Sequence, residues 1–214
     1  MTRLCSNDKD FDDMPVTQQE AFWSGEHGDT YTRKNSGPHV GSQIHFFSDI
    51  LRRVPDVGSV YEVGANAGLN LDAIKALNPA IEIAGCDINE QAVGLSKAKG
   101  YDIDLCSIFE IGGGRRFDLV FTRGVLVHIN PDRLPDVYDR MGQLSAKYIL
   151  IDEFFSPVPV PIDNYMGQNG VLFKRDFGRE IMDRLGLNLL AYGFRSKIDP
   201  VFPGYDTNWY LFQK

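Results

Sequence analysis

At 214 residues, with 43% hydrophobic content and a net charge of −7, the chain can bury one sizeable core. It is too acidic for the broad electrostatic grip that nucleic acids require. No apolar run approaches the ~20 residues of a membrane span, and the opening MTRLCSNDKDFDDM lacks the apolar centre of a signal peptide. Three cysteines (Cys5, Cys86 and Cys106) are odd in number and widely spaced, and fit no metal or disulfide framework. These features predict a reduced, cytoplasmic protein without a metal site.

Taken in order, the first dozen or so residues are polar and acidic and predict a loose end. From Thr17, TQQEAFWSGEHGDTYTRKN sets Phe22, Trp23 and Tyr31 among polar residues, and Thr17 with Glu20 fits the capping box of a short helix. HVGSQIHFFSDILRRV then repeats apolar residues at helical spacing (Ile44, Phe47, Ile50, Leu51, Val54) and stops at Pro55.

From residue 58 strands and helices alternate. SVYEV reads as a strand, NAGLNLDAIKAL as a helix, IEIAGCDI as a strand and NEQAVGLSKAKG as a helix ending in glycine. YDIDLC and FDLVFTR are strands joined by a loop, PDRLPDVYDRMGQL is a helix opened by proline, and KYILIDEFF is an apolar strand. This order predicts an α/β, Rossmann-like three-layer sandwich with a mostly parallel sheet. After the Pro- and Gly-rich SPVPVPIDNYMGQNG come a helix, KRDFGREIMDRLG, and two strands, LNLLAYGFRS and DTNWYLFQK. Their short linker predicts an antiparallel pair, so the sheet is expected to hold seven strands with an antiparallel C-terminal one. Residues 1–57 form an N-terminal segment whose helices pack on the core like a lid. Residues 58–214 form the main domain, with an acceptor-binding insertion near 155–171.

Ligands in such sheets lie beyond the carboxyl ends of the strands, which makes the turn in VYEVGANAGLN the expected site. It reads E-x-G-x-x-x-G, from Glu62 through Gly64 to Gly68. A pyrophosphate-binding turn needs glycine where this chain has Asn66, so NAD is disfavoured and a ligand without a pyrophosphate is expected. Asp87 closes the second strand, where a carboxylate can accept from both ribose hydroxyls, with Ile88 beside it. The plainer readings are close helix–strand packing at the glycines and a helix cap at Asp87. Both features in one frame point to a nucleoside.

With these residues in place, the stretch 58–214 resembles the class I S-adenosylmethionine-dependent methyltransferases. The resemblance implies that Glu62, Gly64, Asn66 and Gly68 surround the methionine part of that cofactor. It implies that Asp87 and Ile88 take the ribose, Ser107 and Ile108 the adenine edge, and Thr122, Arg123 and Gly124 the methionine side. Ser107 stands where many members carry aspartate. Tyr31 is expected over the cofactor from the N-terminal lid. Longer blocks (EAFWSGEHGDTYTRKN, GVLVHINPDRLPDVY, YILIDEFFSPVPV, GVLFKRDFGREIMD) resemble the methyltransferases associated with pseudaminic acid biosynthesis. Lys34 stands where those sequences usually place arginine. The acceptor implied is a small polar or anionic molecule, plausibly a nonulosonic-acid-type sugar or its precursor. The alternatives are an unrelated small metabolite, or a module that binds the cofactor without catalysis.

Methyl transfer from a sulfonium needs an aligned acceptor, exclusion of water and, for a hydroxyl acceptor, a base. His128 follows the fourth strand on the ligand edge and has a suitable intrinsic pKa; its other reading is a packed structural histidine. Asp152 and Glu153 end the fifth strand, and since neighbouring side chains alternate, one faces the pocket. Glu153 is the expected one. Tyr165, Lys174 and Arg175 are candidate contacts to a sugar or carboxylate, unless Lys174 and Arg175 merely begin a solvated helix.

Overall fold

The computed structural model describes residues 16–35, 40–112 and 114–214. The expected loose end and Cys5 lie outside them. Two helices come first, α1 (Gln18–Ser24) and α2 (Glu26–Asn35). The capping box anticipated at α1 is formed, with Thr17 and Glu20 bonding each other's backbone amides. Next, α3 (Gly41–Leu51) buries Phe46, Phe47 and Ile50. The alternating core follows: β1 (Ser59–Val63), α4 (Leu69–Leu77), β2 (Glu82–Asp87), α5 (Glu90–Ala98), β3 (Asp102–Leu105), β4 (Phe117–Arg123), α6 (Leu134–Leu144) and β5 (Ser145–Glu153). Short 3₁₀ turns after β3 and β4 replace long crossovers.

The insertion carries a two-stranded ribbon, β6 (Val160–Pro161) with β7 (Phe173–Lys174). Lys174 is therefore in a strand, and α7 (Phe177–Leu185) starts later than the sequence suggested. Asp176 sets that start by capping it, accepting from the Arg179 amide. The antiparallel β8 (Asn188–Arg195) and β9 (Thr207–Gln213) finish the chain.

The seven-stranded sheet runs β3-β2-β1-β4-β5-β9-β8, parallel except for β8 and β9. Successive strand residues feed opposite layers, as the two-residue period of a strand demands. Tyr61, Val63, Val120, Ile149, Ile151 and Phe212 pack towards α6 and α7. Val60, Leu119, Phe121, Leu150 and Leu211 pack towards α3 and α4. A sheet covered on both faces needs near-continuous apolar strands, and β5 with its YILI run supplies one. The strand order reverses between β1 and β4, so their carboxyl ends open a crevice there. No helix among the described residues is long and apolar enough to cross a membrane. Cys86 is a free buried thiol, but Cys106 is disulfide-bonded, contrary to the expectation that no cysteine pairs.

Candidate functional site

The crevice is a cavity of about 420 Å³ along the carboxyl ends of β1 to β5, within the size range of small-molecule sites. Its floor is the turn after β1. Gly64 and Gly68 take the left-handed conformation (φ 72° and 78°), and each also lacks room for a side chain. A Cβ on Gly64 would sit 2.5 Å from Val125 Cγ2, and one on Gly68 would press on Tyr101 and Ser96. Gly68 does not line the cavity; it packs the turn against α5 and the loop to β3. Asn66 is left-handed too (φ 46°), a conformation that asparagine tolerates better than most residues. Its carboxamide does not reach for a ligand: Nδ2 donates to Thr32 Oγ1 (3.0 Å) and Oδ1 accepts from the Ala67 amide (2.7 Å). The side chain thus ties the turn to α2 above it.

Asp87 lines the cavity at the end of β2. One oxygen accepts from the Asn66 amide (2.7 Å), the other from the Asn89 amide (2.8 Å). Each oxygen keeps further acceptor capacity on the cavity side. Burial raises its pKa against the pull of those amides. Ile88, Ser107 and Ile108 stand beside it on the cavity wall. The Ser107 amide already donates to Glu110 (2.7 Å) and its hydroxyl caps the Phe109 amide, so the hydroxyl hydrogen is the free polar feature of that side chain.

Beyond the turn a polar chain runs under the cavity. Glu62, 1% exposed, accepts from Asn70 Nδ2 (2.5 Å), and Asn70 accepts from Arg123. Arg123 Nε and Arg195 Nη1 then converge on one oxygen of Asp152, at 2.9 and 3.0 Å. Glu62 is not on the cavity wall, whereas Asn70, Arg123, Gly124 and Asp152 are. Burial pushes Glu62 up to about 8, with Asn70 and Arg123 pulling the other way. Asp152 Oδ1 is buried without a partner among the described residues.

The expected order at the end of β5 is reversed. Strand alternation holds, but Asp152 faces the cavity and Glu153 faces the other layer. Glu153 is 2% exposed, and its Oε1 accepts from the amides of Val125 (3.0 Å) and Leu126 (3.1 Å) and, at 3.4 Å, from Thr122 Oγ1. It caps the turn after β4, and burial lifts its pKa to about 8. Thr122, fully buried, serves the same turn rather than the cavity wall.

His128 lies on the wall in the 3₁₀ turn after β4. Its Nδ1 is 2.8 Å from the Val171 carbonyl, which can only accept, so Nδ1 carries the proton and Nε2 keeps its lone pair. Burial lowers its pKa to about 4. Trp23 packs on one side of the ring (4.5 Å between centroids) and Tyr165 on another (5.2 Å). Trp23 also meets Tyr31 edge-on, and Tyr31 is hydrogen-bonded to Tyr205. Tyr31 and Tyr165 both line the cavity. Lys174 and Arg175 do not: Lys174 lies over the Phe154 ring, and Arg175 is paired with Glu180 (2.8 Å).

Sequence reasoning left out Asn70, Phe154, Tyr205, Thr207 and Arg195. Arg195 and Thr207 face each other across the β8–β9 pair, and Tyr205 sits in the linker between those strands, a pairing that no local motif announces. Among the described residues no group of three or more His, Cys, Asp or Glu side chains is placed to hold a metal ion.

Residues 61–147 match the family model described as a methyltransferase domain. No curated protein sequence matches the chain. Among solved structures, the chain is similar to magnesium protoporphyrin IX methyltransferase from Synechocystis PCC 6803 with bound SAM, at 15% identity and a TM-score of 0.65, over 94% of this chain and 99% of that one. It is similar to the sugar N-methyltransferase of a Streptoalloteichus species at 12% identity and a TM-score of 0.63, over 89% and 93%. It is also similar to 1,6-didemethyltoxoflavin-N1-methyltransferase from Burkholderia thailandensis at 16% identity and a TM-score of 0.67, over 94% and 92%. The fold is thus the Rossmann-like fold of the class I methyltransferases.

Proposed function

We propose that this chain is an S-adenosylmethionine-dependent methyltransferase acting on a small polar acceptor, of the nonulosonic-acid sugar type or a precursor of one. The observation that carries the reading is Asp87 on the wall of a single cavity that continues to His128, Tyr165 and Asp152. The donor set fits the cofactor. Asp87 would take the ribose hydroxyls, the Gly64 turn and Gly124 the methionine part, and Ile88 and Ile108 the adenine faces. Bound there, the cofactor supplies an electrophilic methyl group.

The chain's own residues supply the rest. Trp23, Tyr31 and Tyr165 form an apolar wall that excludes water from the acceptor. Asp152 Oδ1, buried and unpaired, accepts from a hydroxyl or amino group of the acceptor, while Arg123 and Arg195 beside it favour a carboxylate-bearing molecule. His128 Nε2 accepts an acceptor hydrogen and orients the lone pair behind it. With a pKa near 4 it remains neutral at physiological pH but takes up a full proton weakly. That weakness favours a neutral amine, which needs no prior deprotonation, over a hydroxyl. The similar sugar N-methyltransferase is consistent with this.

Two experiments test the reading. Calorimetry is expected to give binding of S-adenosylmethionine and its demethylated product, with no comparable binding of NAD. Tighter binding of NAD would overturn the cofactor. Turnover is then measured with amine and hydroxyl forms of candidate nonulosonic acids, and cofactor binding without turnover on any acceptor would leave a non-catalytic binding module as the better description.

A further inference from the structure

Strand β8 is the last strand of the sheet, hydrogen-bonded to β9 on one side; no strand among the described residues pairs with its other edge. Such edges are normally blunted by lysine, proline or inward charge, because their free amides and carbonyls invite another strand. Here the stretch from Asn188 to Phe194, NLLAYGF, contains no charge and no proline. Its outward residues are large and apolar. Tyr192 pairs with Tyr210, whose ring packs on Gly178 of α7, so Leu190, Tyr192 and Phe194 share the α7 face of the sheet beyond that helix. They are 44%, 71% and 62% exposed, and Ile198 and Val201 in the following loop are 82% and 67% exposed.

Together with Leu189, Phe202 and Tyr205 these side chains expose on the order of 900 Å², beyond the ~300–600 Å² of the largest patch on a typical monomer. The same estimate, on the order of 900 Å², is close to the ~800 Å² that each partner contributes to a standard stable interface. We propose that a second copy of this chain covers this edge, with the two β8 strands running antiparallel about a two-fold axis at Tyr192. The sequence is self-complementary in that register. Tyr192 faces its own mate, Leu190 faces Phe194 and Leu189 faces Arg195, so apolar groups pair across the axis and no like charges meet. An isologous contact of this kind closes at two copies and removes both edges. The chain's net charge of −7 opposes self-association, but the strand itself carries only Arg195, at its end. The covered edge leads through Tyr205 to the cavity, where Tyr205 bonds Tyr31, so the second copy borders the acceptor entrance. This inference does not rest on the chemistry proposed above.

The test is sedimentation velocity on the full chain from about 1 to 100 µM. The wild type is expected at twice 24.1 kDa. The double variant Tyr192→Lys, Phe194→Lys is expected at the monomer mass with an unchanged circular dichroism spectrum, whereas Leu95→Lys, at an exposed leucine on α5, leaves the dimer intact. In addition, Tyr192→Cys is expected to form a symmetric crosslink under mild oxidation, which reads the axis even if the lysine variant folds poorly. A wild type that stays monomeric at 100 µM overturns the proposal. So does a dimer that survives the lysine pair, that is lost in Leu95→Lys, or in which the cysteine at 192 fails to crosslink.

Discussion

Asp87 already holds two backbone amides, so its alanine variant removes more than a ligand contact: the Asn66 and Asn89 amides lose their acceptor and the turn loosens. Loss of hydrogen bonds to a charged group, worth ~1.5–3 kcal/mol, is expected to weaken S-adenosylmethionine binding by about one to two orders of magnitude. Calorimetry on a variant that keeps its far-ultraviolet spectrum checks this, and unchanged affinity would move the ribose elsewhere. The neighbours Asp152 and Glu153 separate cleanly by substitution. Asp152→Asn removes the shared counter-charge of two guanidiniums, each 10% exposed, and breaking such a buried group costs ~3–5 kcal/mol. Glu153→Gln keeps an oxygen for the Val125 and Leu126 amides, and with a pKa near 8 the native side chain is largely protonated at neutral pH anyway. It is therefore expected to be close to neutral in both stability and turnover near pH 7. Urea unfolding of the two variants is the measurement, and a Glu153→Gln enzyme that folds normally but loses turnover 100-fold would restore that residue as the base.

At the scale of elements, the roof of the cavity is α1 and α2, held by few but specific bonds. Asn89 caps α5 through the Ala92 amide (2.9 Å) and donates to Asp29 (2.8 Å) and to the Trp23 carbonyl (3.3 Å), while Asn66 reaches Thr32. The link is tight enough that a Cβ on Gly28 would lie 1.9 Å from the Trp23 carbonyl oxygen. Bound cofactor should stiffen this roof, because the turn at Asn66 and the strand end at Asp87 are its attachment points. Hydrogen exchange across residues 18–35 is expected to slow on adding S-adenosylhomocysteine, and Asn89→Ala should speed it and abolish most of the ligand's effect. Equal exchange with and without ligand would mean that the roof does not sense the site. The strand–helix alternation and the C-terminal hairpin were legible in the sequence because periodicity reports which face is buried. SVYEV, for instance, is β1 to the residue. The phase of Asp152 and Glu153 was not legible, since it depends on the twist and pairing of β5 with β4 and β9 rather than on either residue's neighbours. Lys174 and Arg175 misled for a related reason: local charge suggested a binding patch, but Arg175 is spent on Glu180, five residues on, across the start of α7.

The whole molecule carries its buried titratable groups as a pH signature. Glu62 and Glu153 have folded pKa values raised to about 8 from 4.5, mainly by burial. A carboxyl with a raised folded pKa contributes its full stability below pH 4.5 and loses it as pH climbs through 8, because the folded chain holds protons that the unfolded chain has released. His128 works in the opposite sense. Its folded pKa is lowered to about 4 from 6.5, so its contribution is present above pH 6.5 and disappears as pH falls towards 4. Between 6.5 and 8 the histidine is neutral in both states and only the two glutamates act. Unfolding free energy is therefore expected to fall as pH rises across that window. Between 4.5 and 6.5 the histidine offsets part of the glutamate slope, so the curve flattens there. Urea titrations at half-unit steps from pH 5 to 9 trace this curve directly. The double variant Glu62→Gln, Glu153→Gln should remove the decline above pH 6.5 while leaving the acid side to His128, and His128→Asn should steepen the fall between 4.5 and 6.5. If wild-type stability instead rises from pH 6.5 to 8, the two glutamates are ionised in the fold, and the polar chain from Glu62 to Asp152 holds one more negative charge than argued here.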